Sequence, residues 1–265
     1  MNGTPATFAQ LYDLAFSWDI QVELDCLRSI WGTVLRKDPQ SLYDVGAGTG
    51  RFLIPLAREG IRIWALEPDP EMLSVLKNKV EEFSVTTSII PAHIETFEAC
   101  ERADAAILMT DTISYFWPKW VLRRALVAIH RMLLPGGVLT VDVGLWAGYE
   151  GESRREEWTI QADALTTVTT TYSASILPFD KRELDRAPIL FRSETLSFMA
   201  SKGERWQCAS RQSVLHALKL SELLAVANDA GFVLALANIP GNSSPIQLSG
   251  TEVCYRRLYL SFVPA

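Results

Sequence analysis

Three glycines at alternate positions, Gly46, Gly48 and Gly50, stand between a short apolar run, Leu42-Tyr43-Asp44-Val45, and a helical pattern, Arg51-Phe52-Leu53-Ile54-Pro55-Leu56-Ala57-Arg58. Glycine turns the backbone through positive φ and lets a ligand lie almost against the main chain, where a Cβ would stand in its way. A second apolar run, Ile61 to Leu66, follows and ends on Glu67. In open α/β sheets a ligand sits outside the carboxyl ends of the strands where the winding reverses, so the glycine turn and Glu67 are expected to line one crevice. A carboxylate there suits a ribose diol, because it accepts two hydroxyl hydrogen bonds and has nothing to donate. The chemistry to expect is the binding of a nucleoside-bearing ligand.

Three nucleotide-site patterns compete for this stretch. A P-loop needs Gly-Lys-Ser/Thr, and Gly50 is followed by Arg51-Phe52, which places no lysine or hydroxyl for phosphate and magnesium. A dinucleotide fold wants G-x-G-x-x-G, whereas the spacing here is G-x-G-x-G with Arg51 at the third glycine's place. The stretch Asp44-Val45-Gly46-Ala47-Gly48-Thr49-Gly50, with Glu67 at the next strand end, instead resembles the cofactor loop of class I S-adenosylmethionine-dependent methyltransferases. Phe8 to Asp13 resembles the "YD" segment of small-molecule members, and "LLPGG" before Val138 is typical of the same family, so the resemblance runs from Tyr12 to about Asp142.

That resemblance implies S-adenosyl-L-methionine as cofactor, with S-adenosyl-L-homocysteine as product. It implies cofactor contacts from Tyr12, Asp44, Gly46, Ala47, Gly48, Gly50, Glu67, Pro68, Met72, His93, Ile94 and Thr110. In the family an acid binds the adenine amino group at the position of His93, so this chain departs from the pattern there. Either Glu95 takes the role, or backbone and water read the amino group while Ile94 covers the ring. A tyrosine at position 12 would fold over the cofactor and reach the reaction centre; the alternative is a packing residue.

The elements that must position these groups follow from periodicity. Apolar residues from Val22 to Val34 have helical spacing, and Lys37-Asp38-Pro39 stops that helix before the first strand. Pro68-Asp69-Pro70-Glu71 starts another helix, with Met72, Val75, Leu76 and Val80 on its inner face. Val85–Ile90 and Ala105–Met109 read as the third and fourth strands, Trp117–Leu134 as an amphipathic helix, and Val138–Val143 as strand five. From Trp158 to Ser213 the chain alternates and is rich in β-branched residues, which predicts a small antiparallel sheet, with Phe179 to Arg186 a charged connection within it. Leu220–Phe232 is a helix closed by glycine, then Val233–Ile239 and Tyr255–Val263 are two strands joined by a Gly-, Ser- and Pro-rich loop, Asn238–Gly250. The expected fold is α/β: a Rossmann-like, doubly wound, seven-stranded and mostly parallel sheet, with a small inserted antiparallel β-sheet. Residues 1–146 would form the cofactor-binding core with a helical cap, 147–215 a lid or dimer subdomain, and 216–265 the rest of the core.

Composition narrows the partners. At 265 residues and 48% hydrophobic content the chain can bury a substantial core. A net charge of -6 and no basic run argue against nucleic acid, as does the lack of an Asn/Asp-Pro-Pro-Tyr/Phe tetrapeptide after strand four. Cys26, Cys100, Cys208 and Cys254 are scattered, with no C-x-x-C pair, so no metal site is expected and the thiols suit a reducing, cytoplasmic compartment. No membrane partner is expected; a small-molecule substrate is, and a homodimer is compatible with the inserted sheet.

Methyl transfer from a sulfonium mainly requires alignment of nucleophile, carbon and sulfur, and a base only when the acceptor arrives protonated. Tyr12, Tyr115 and His216 are the expected catalytic residues, the tyrosines more as walls than as bases, with Asp111 a further candidate base. Asp142 is either a base near the substrate or a structural strand-end acid, and polar residues at strand ends are common. Trp18, Trp117, Trp120 and Trp146 fall in segments that could line a pocket attractive to a cation. The rival readings are a nicotinamide oxidoreductase, which the glycines and Glu67 favour and Arg51 opposes, and a catalytically silent binding protein, which the missing adenine acid permits.

Overall fold

Ser41–Val45 (β1) is apolar on both faces because both are covered, and that makes it the middle of a parallel sheet. A computed structural model describes residues 6–146, 152–177, 190–202, 205–242, 245–246, 248 and 257–265. In it β1 pairs in parallel with Arg62–Leu66 (β2) and with Ala103–Leu108 (β4). Thr87–Ile90 (β3) lies outside β2, and Leu133–Gly144 (β5) outside β4. Arg257–Pro264 (β11) runs antiparallel between β5 and Phe232–Asn238 (β10), which gives seven strands in the order β10-β11-β5-β4-β1-β2-β3. The winding reverses between β1 and β4, so the crevice opens there.

The two faces of this sheet serve different cores. Tyr43 and Val45 pack with Lys119–Met132 (α5) and Leu220–Asp229 (α6), while Leu42 packs with Gln21–Val34 (α2), Leu53–Arg58 (α3) and Leu76 of Pro70–Glu82 (α4). α4 begins where the residue types direct it: Asp69 accepts from Glu71 N at 2.8 Å and Met72 N at 3.3 Å, with Pro70 in the first turn. Phe8–Ala15 (α1) starts on a capping box between Thr7 and Gln10.

Ser153–Gln161 (β6), Thr166–Ile176 (β7), Phe191–Lys202 (β8) and Arg205–His216 (β9) form a second sheet, each strand antiparallel to the next. Alternation sets its inner face, on which Val168, Phe198 and Ala200 bury Leu11 and Ala15 of α1. α1 is therefore held against the inserted sheet, and its other contacts reach α4 through a 2.7 Å ion pair between Lys79 and Asp13.

The expected strands and helices occur, with shifts that have local causes. β5 starts at Leu133 and takes in the LLPGG segment, because the register jumps from Leu133 opposite Ala103 to Val138 opposite Ala105. Gly136 has φ +78° in this bulge, and a Cβ on Gly137 would stand 2.9 Å from the Asp104 carbonyl. The charged connection Phe179–Arg186, much of the Asn238–Gly250 loop and Tyr255 lie outside the described residues. Among the described residues no helix is long and apolar enough to cross a membrane.

Candidate active site

The floor of the crevice is the turn after β1. The amides of Gly46 and Ala47 donate to the Leu66 carbonyl at 2.8 and 3.0 Å, which draws the turn against the end of β2. Gly46, Gly48 and Gly50 all have positive φ, at +75°, +57° and +82°. Their surroundings differ. A Cβ on Gly46 would collide with the Thr112 methyl group and one on Gly50 would come within 2.6 Å of Leu76 Cδ1, but one on Gly48 would meet nothing within 4 Å. The outer two glycines admit neighbouring side chains, and the middle one borders open space.

Glu67 is nearly buried at the rim of that space. Its Oε2 accepts from Gly48 N at 2.8 Å and its Oε1 from Asp69 N at 2.9 Å. Burial pushes its carboxyl above the usual range, and the two amides pull the other way. Each oxygen retains a lone pair directed away from the amide, enough for the two hydroxyls of a ribose. Asp44, buried behind it, is pushed up to about 7 by burial first and by the Glu67 charge second. Met72 is buried in the first turn of α4, and Pro68 is exposed beside Glu67. In the loop after β3 Ile94 is buried, whereas the His93 side chain is 67% exposed and turns its Nδ1 to Glu95, 3.8 Å away.

The far wall is built at the ends of β4 and β5. Thr110 and Asp111 are consecutive left-handed residues, φ +55° and +60°, a costly pair for side-chain-bearing residues and one held in place from both sides. Thr110 N donates to Asp142 Oδ2 at 2.9 Å, and Gly144 N donates to Asp111 Oδ1 at 2.9 Å, so each strand end braces the other. Arg257 neutralises Asp142 and the buried Arg192 of β8 neutralises Asp111. Asp142 is fully enclosed in this brace, which is the structural role of the two considered for it. Asp111, also considered as a base, is engaged by Arg192, Gly144 N and the Ser114 hydroxyl at 2.8 Å.

The inner face of the second sheet forms the roof. Tyr115 is 54% exposed by area, yet desolvation is the main cause raising its phenol, followed by the charge of Glu194. Tyr12 stacks on Phe16 with centroids 4.3 Å apart, and burial pushes its phenol up to about 12, with Arg51, Glu67 and Glu194 all close enough to act on it. Tyr12 is in turn among the groups whose charge acts on the Tyr115 phenol. His216 does not join them: it is fully buried at the end of β9 with Nε2 3.2 Å from Glu222 of α6, and its carbonyl accepts from Arg192.

One functional group escaped the sequence reading. Glu194 on β8 accepts from the Tyr172 hydroxyl at 3.1 Å and lies 3.5 Å from Arg192, with 17% of its side chain exposed. Burial raises its carboxyl and Arg192 lowers it, with a net upward shift. The available signal was parity, since Arg192 and Glu194 share the inward register of Phe198 and Ala200 in an otherwise apolar row. Among the tryptophans, Trp18 carries the Arg51 guanidinium and Trp146 those of Arg154 and Arg192. Trp117 donates to the Val214 carbonyl, and Trp120 is exposed. Tyr115 and Lys119 have the Tyr-x-x-x-Lys spacing of a hydride-transfer pair, but Tyr115 closes a 3₁₀ turn and Lys119, exposed, opens α5, so they do not share one helix face.

Residues 42–137 match the sequence model of a family described as methyltransferase domain, as the resemblance of the glycine turn and Glu67 implied. A relative in Geobacillus sp. (strain WCH70) that bears a methyltransferase name is 26% identical over 108 residues, 41% of this chain and 44% of that one. The matched region spans less than half the length of that relative. The fold resembles an S-adenosylmethionine-dependent methyltransferase from Clostridium acetobutylicum, with TM-score 0.75, 16% identity and 97% of each chain covered. It also resembles CalS10, an amino pentose methyltransferase from Micromonospora echinaspora solved with S-adenosylmethionine bound, with TM-score 0.70, 17% identity, and 98% and 99% covered.

Proposed function

We propose that this chain, whose core is a methyltransferase domain of the class I S-adenosylmethionine-dependent type, methylates a nitrogen or oxygen of a small-molecule acceptor and releases S-adenosylhomocysteine. The observation that carries this reading is the open space over Gly48 beside a Glu67 carboxylate pinned by Gly48 N and Asp69 N. An adenosyl sulfonium supplies a methyl group already activated for displacement. The chain's own part is to hold and align. Gly46 to Gly50 lie beneath the amino-acid end, Glu67 takes the ribose, Met72 and Ile94 flank the base, and Thr110 faces the sulfur. The second sheet, β6 to β9, covers the acceptor or serves as a dimer contact.

Tyr12 and Tyr115 act as walls, because phenols raised this far stay protonated at neutral pH and orient an acceptor by hydrogen bonding. Of the carboxylates near these phenols, Asp111 is committed to Arg192 and the brace, whereas Glu194 keeps capacity beyond Tyr172 and can receive a proton. His216 can act only through Arg192 and Glu222, since nothing reaches its ring from solvent. Likeness to an amino pentose methyltransferase is in keeping with a small acceptor.

Calorimetric titration with S-adenosylhomocysteine and, separately, with NAD tests the cofactor. Binding of the first alone is expected, and binding of NAD alone would sink the reading in favour of an oxidoreductase. Incubation with labelled S-adenosylmethionine and matched amine and alcohol acceptors then tests transfer; no methylated product across such a panel would leave a binding protein.

A further inference from the structure

Glu194 of β8 has one carboxylate oxygen that the fold does not use. Its Oε2 takes both the Tyr172 hydroxyl at 3.1 Å and the Arg192 guanidinium at 3.5 Å. Oε1 accepts no hydrogen bond among the described residues and is not one of the enclosed polar atoms, so it stays open to a ligand. The register sets what stands beside it. Ser213 of β9 is directly opposite Glu194, and the Ser213 side chain hydrogen-bonds to the Tyr115 phenol. Tyr12 responds to the charges of Glu67 and Glu194 alike, which brings this carboxylate within electrostatic reach of the ribose acid.

The charges around Glu194 do not balance. Arg192 pairs with both Glu194 and Asp111, one guanidinium against two carboxylates. The next cation, Arg154 on the same Trp146 ring, is taken up by Glu152 and by the Leu145 carbonyl. One negative charge is left over where desolvation makes it costly. A cation restores the balance, and aromatic faces attract one as well. An ammonium ion meets both conditions and a hydroxyl group meets neither. An alcohol is also too weak an acid to give its proton to a carboxylate, and a phenol that did so would set a second negative charge beside the first. We infer that Glu194 selects the acceptor: its open oxygen holds an amine as the ammonium ion and takes the proton that must leave before nitrogen can attack. This narrows the proposed function and rests on it. Burial raises the Glu194 carboxyl and lowers an ammonium, which brings the two closer in proton affinity. The N–H bond breaks with its electron pair left on nitrogen. That pair forms the bond to the methyl carbon as the carbon–sulfur pair withdraws onto sulfur, and Glu194 gives its proton to solvent.

Benzylamine and cyclohexylamine, with benzyl alcohol and cyclohexanol, are probes matched in shape that differ in charge. Titrated calorimetrically at neutral pH into the wild-type chain saturated with S-adenosylhomocysteine, at least one amine should bind about tenfold or more tighter than its alcohol. Glu194→Gln keeps the side chain's size and an acceptor for Tyr172 but removes its charge and basicity. It should cut that preference to less than about threefold and lower kcat/KM for amine methylation about 10- to 100-fold, with S-adenosylhomocysteine affinity changed less than about threefold. No preference for the amine in either pair, or a preference that survives the substitution, overturns the assignment. If Glu194→Gln does not fold, Tyr172→Phe decides, because it frees Glu194 of a competing donor: the amine should bind more tightly and the alcohol unchanged, and weaker amine binding would refute the role of Glu194. Wild-type chain that does not bind S-adenosylhomocysteine defeats the methyltransferase reading itself, a result distinct from cofactor binding without amine preference.

Discussion

Glu67 and Glu194 are both largely buried carboxylates raised by desolvation, yet they are built by opposite means. Glu67 is satisfied by backbone amides, Gly48 N and Asp69 N, that belong to the same β1–turn–β2 unit. Glu194 is satisfied by side chains, Tyr172 across the ladder and Arg192 on its own strand, and Arg192 is in turn tied to Asp111 in the loop after β4. The floor of the site is local and made of main chain; the roof is assembled from distant side chains. Main-chain donors belong to a fold and suit a ligand that does not vary, whereas side-chain donors can be exchanged without disturbing the ladder. On the proposed function, cofactor binding would belong to the floor and acceptor choice to the roof.

Breaking the floor should give the largest effect. Gly48→Val puts a branched side chain at φ +57° into the space meant for the ligand, and S-adenosylhomocysteine binding by calorimetry should vanish. No neighbour lies within 4 Å of that Cβ, so the cost to folding is the backbone strain of a branched residue at positive φ; a folded variant with unchanged affinity would contradict the placement of the site. Breaking the joint comes next. Arg192→Met strands the Asp111 carboxylate and should cost about 3–5 kcal/mol of folding stability in denaturant titrations. A loss below about 1 kcal/mol would mean that the two sheets do not depend on this pair. Glu67→Ala should weaken S-adenosylhomocysteine by about 1.5–3 kcal/mol, the worth of charge-assisted bonds to the ribose.

A further test is a pH dependence confined to the floor. Asp44 titrates near 7 in the folded chain, against about 3.9 when free. Between those values the folded chain holds a proton that the unfolded chain has lost, so the Asp44 contribution to stability falls as pH rises from about 4 to 7 and is level above that. Asp44→Asn should flatten this part of the melting-temperature profile. A profile unchanged by the substitution would refute the shift.

Legibility followed the same division. Ser41 to Glu67 could be read directly, because strand, turn, helix and acid are contiguous and their spacing implies one geometry. The inserted sheet was readable as alternation from Trp158 to Ser213, but the role of Glu194 was not, because it depends on a register that brings Tyr172 and Glu194 together. His216 misled for a related reason. A histidine before a helix looked available, and only the packing of α6 against β9 encloses it with Glu222. Tyr12 and Tyr115, named from separate segments, come near enough for one phenol to act on the other, and Arg51 stood out first as a violation of a pattern.

The reciprocal brace between Thr110, Asp111, Asp142 and Gly144 has a bearing on how acceptors would be chosen. Two carboxylates each clasp the other's strand, and two arginines cancel their charge, so no single member can shift without disturbing three more. On the proposed function, that side of the site would be braced before any guest arrives. An acceptor must bring a shape that already fits it, and a guest one methyl group too large would be turned away rather than moulded around.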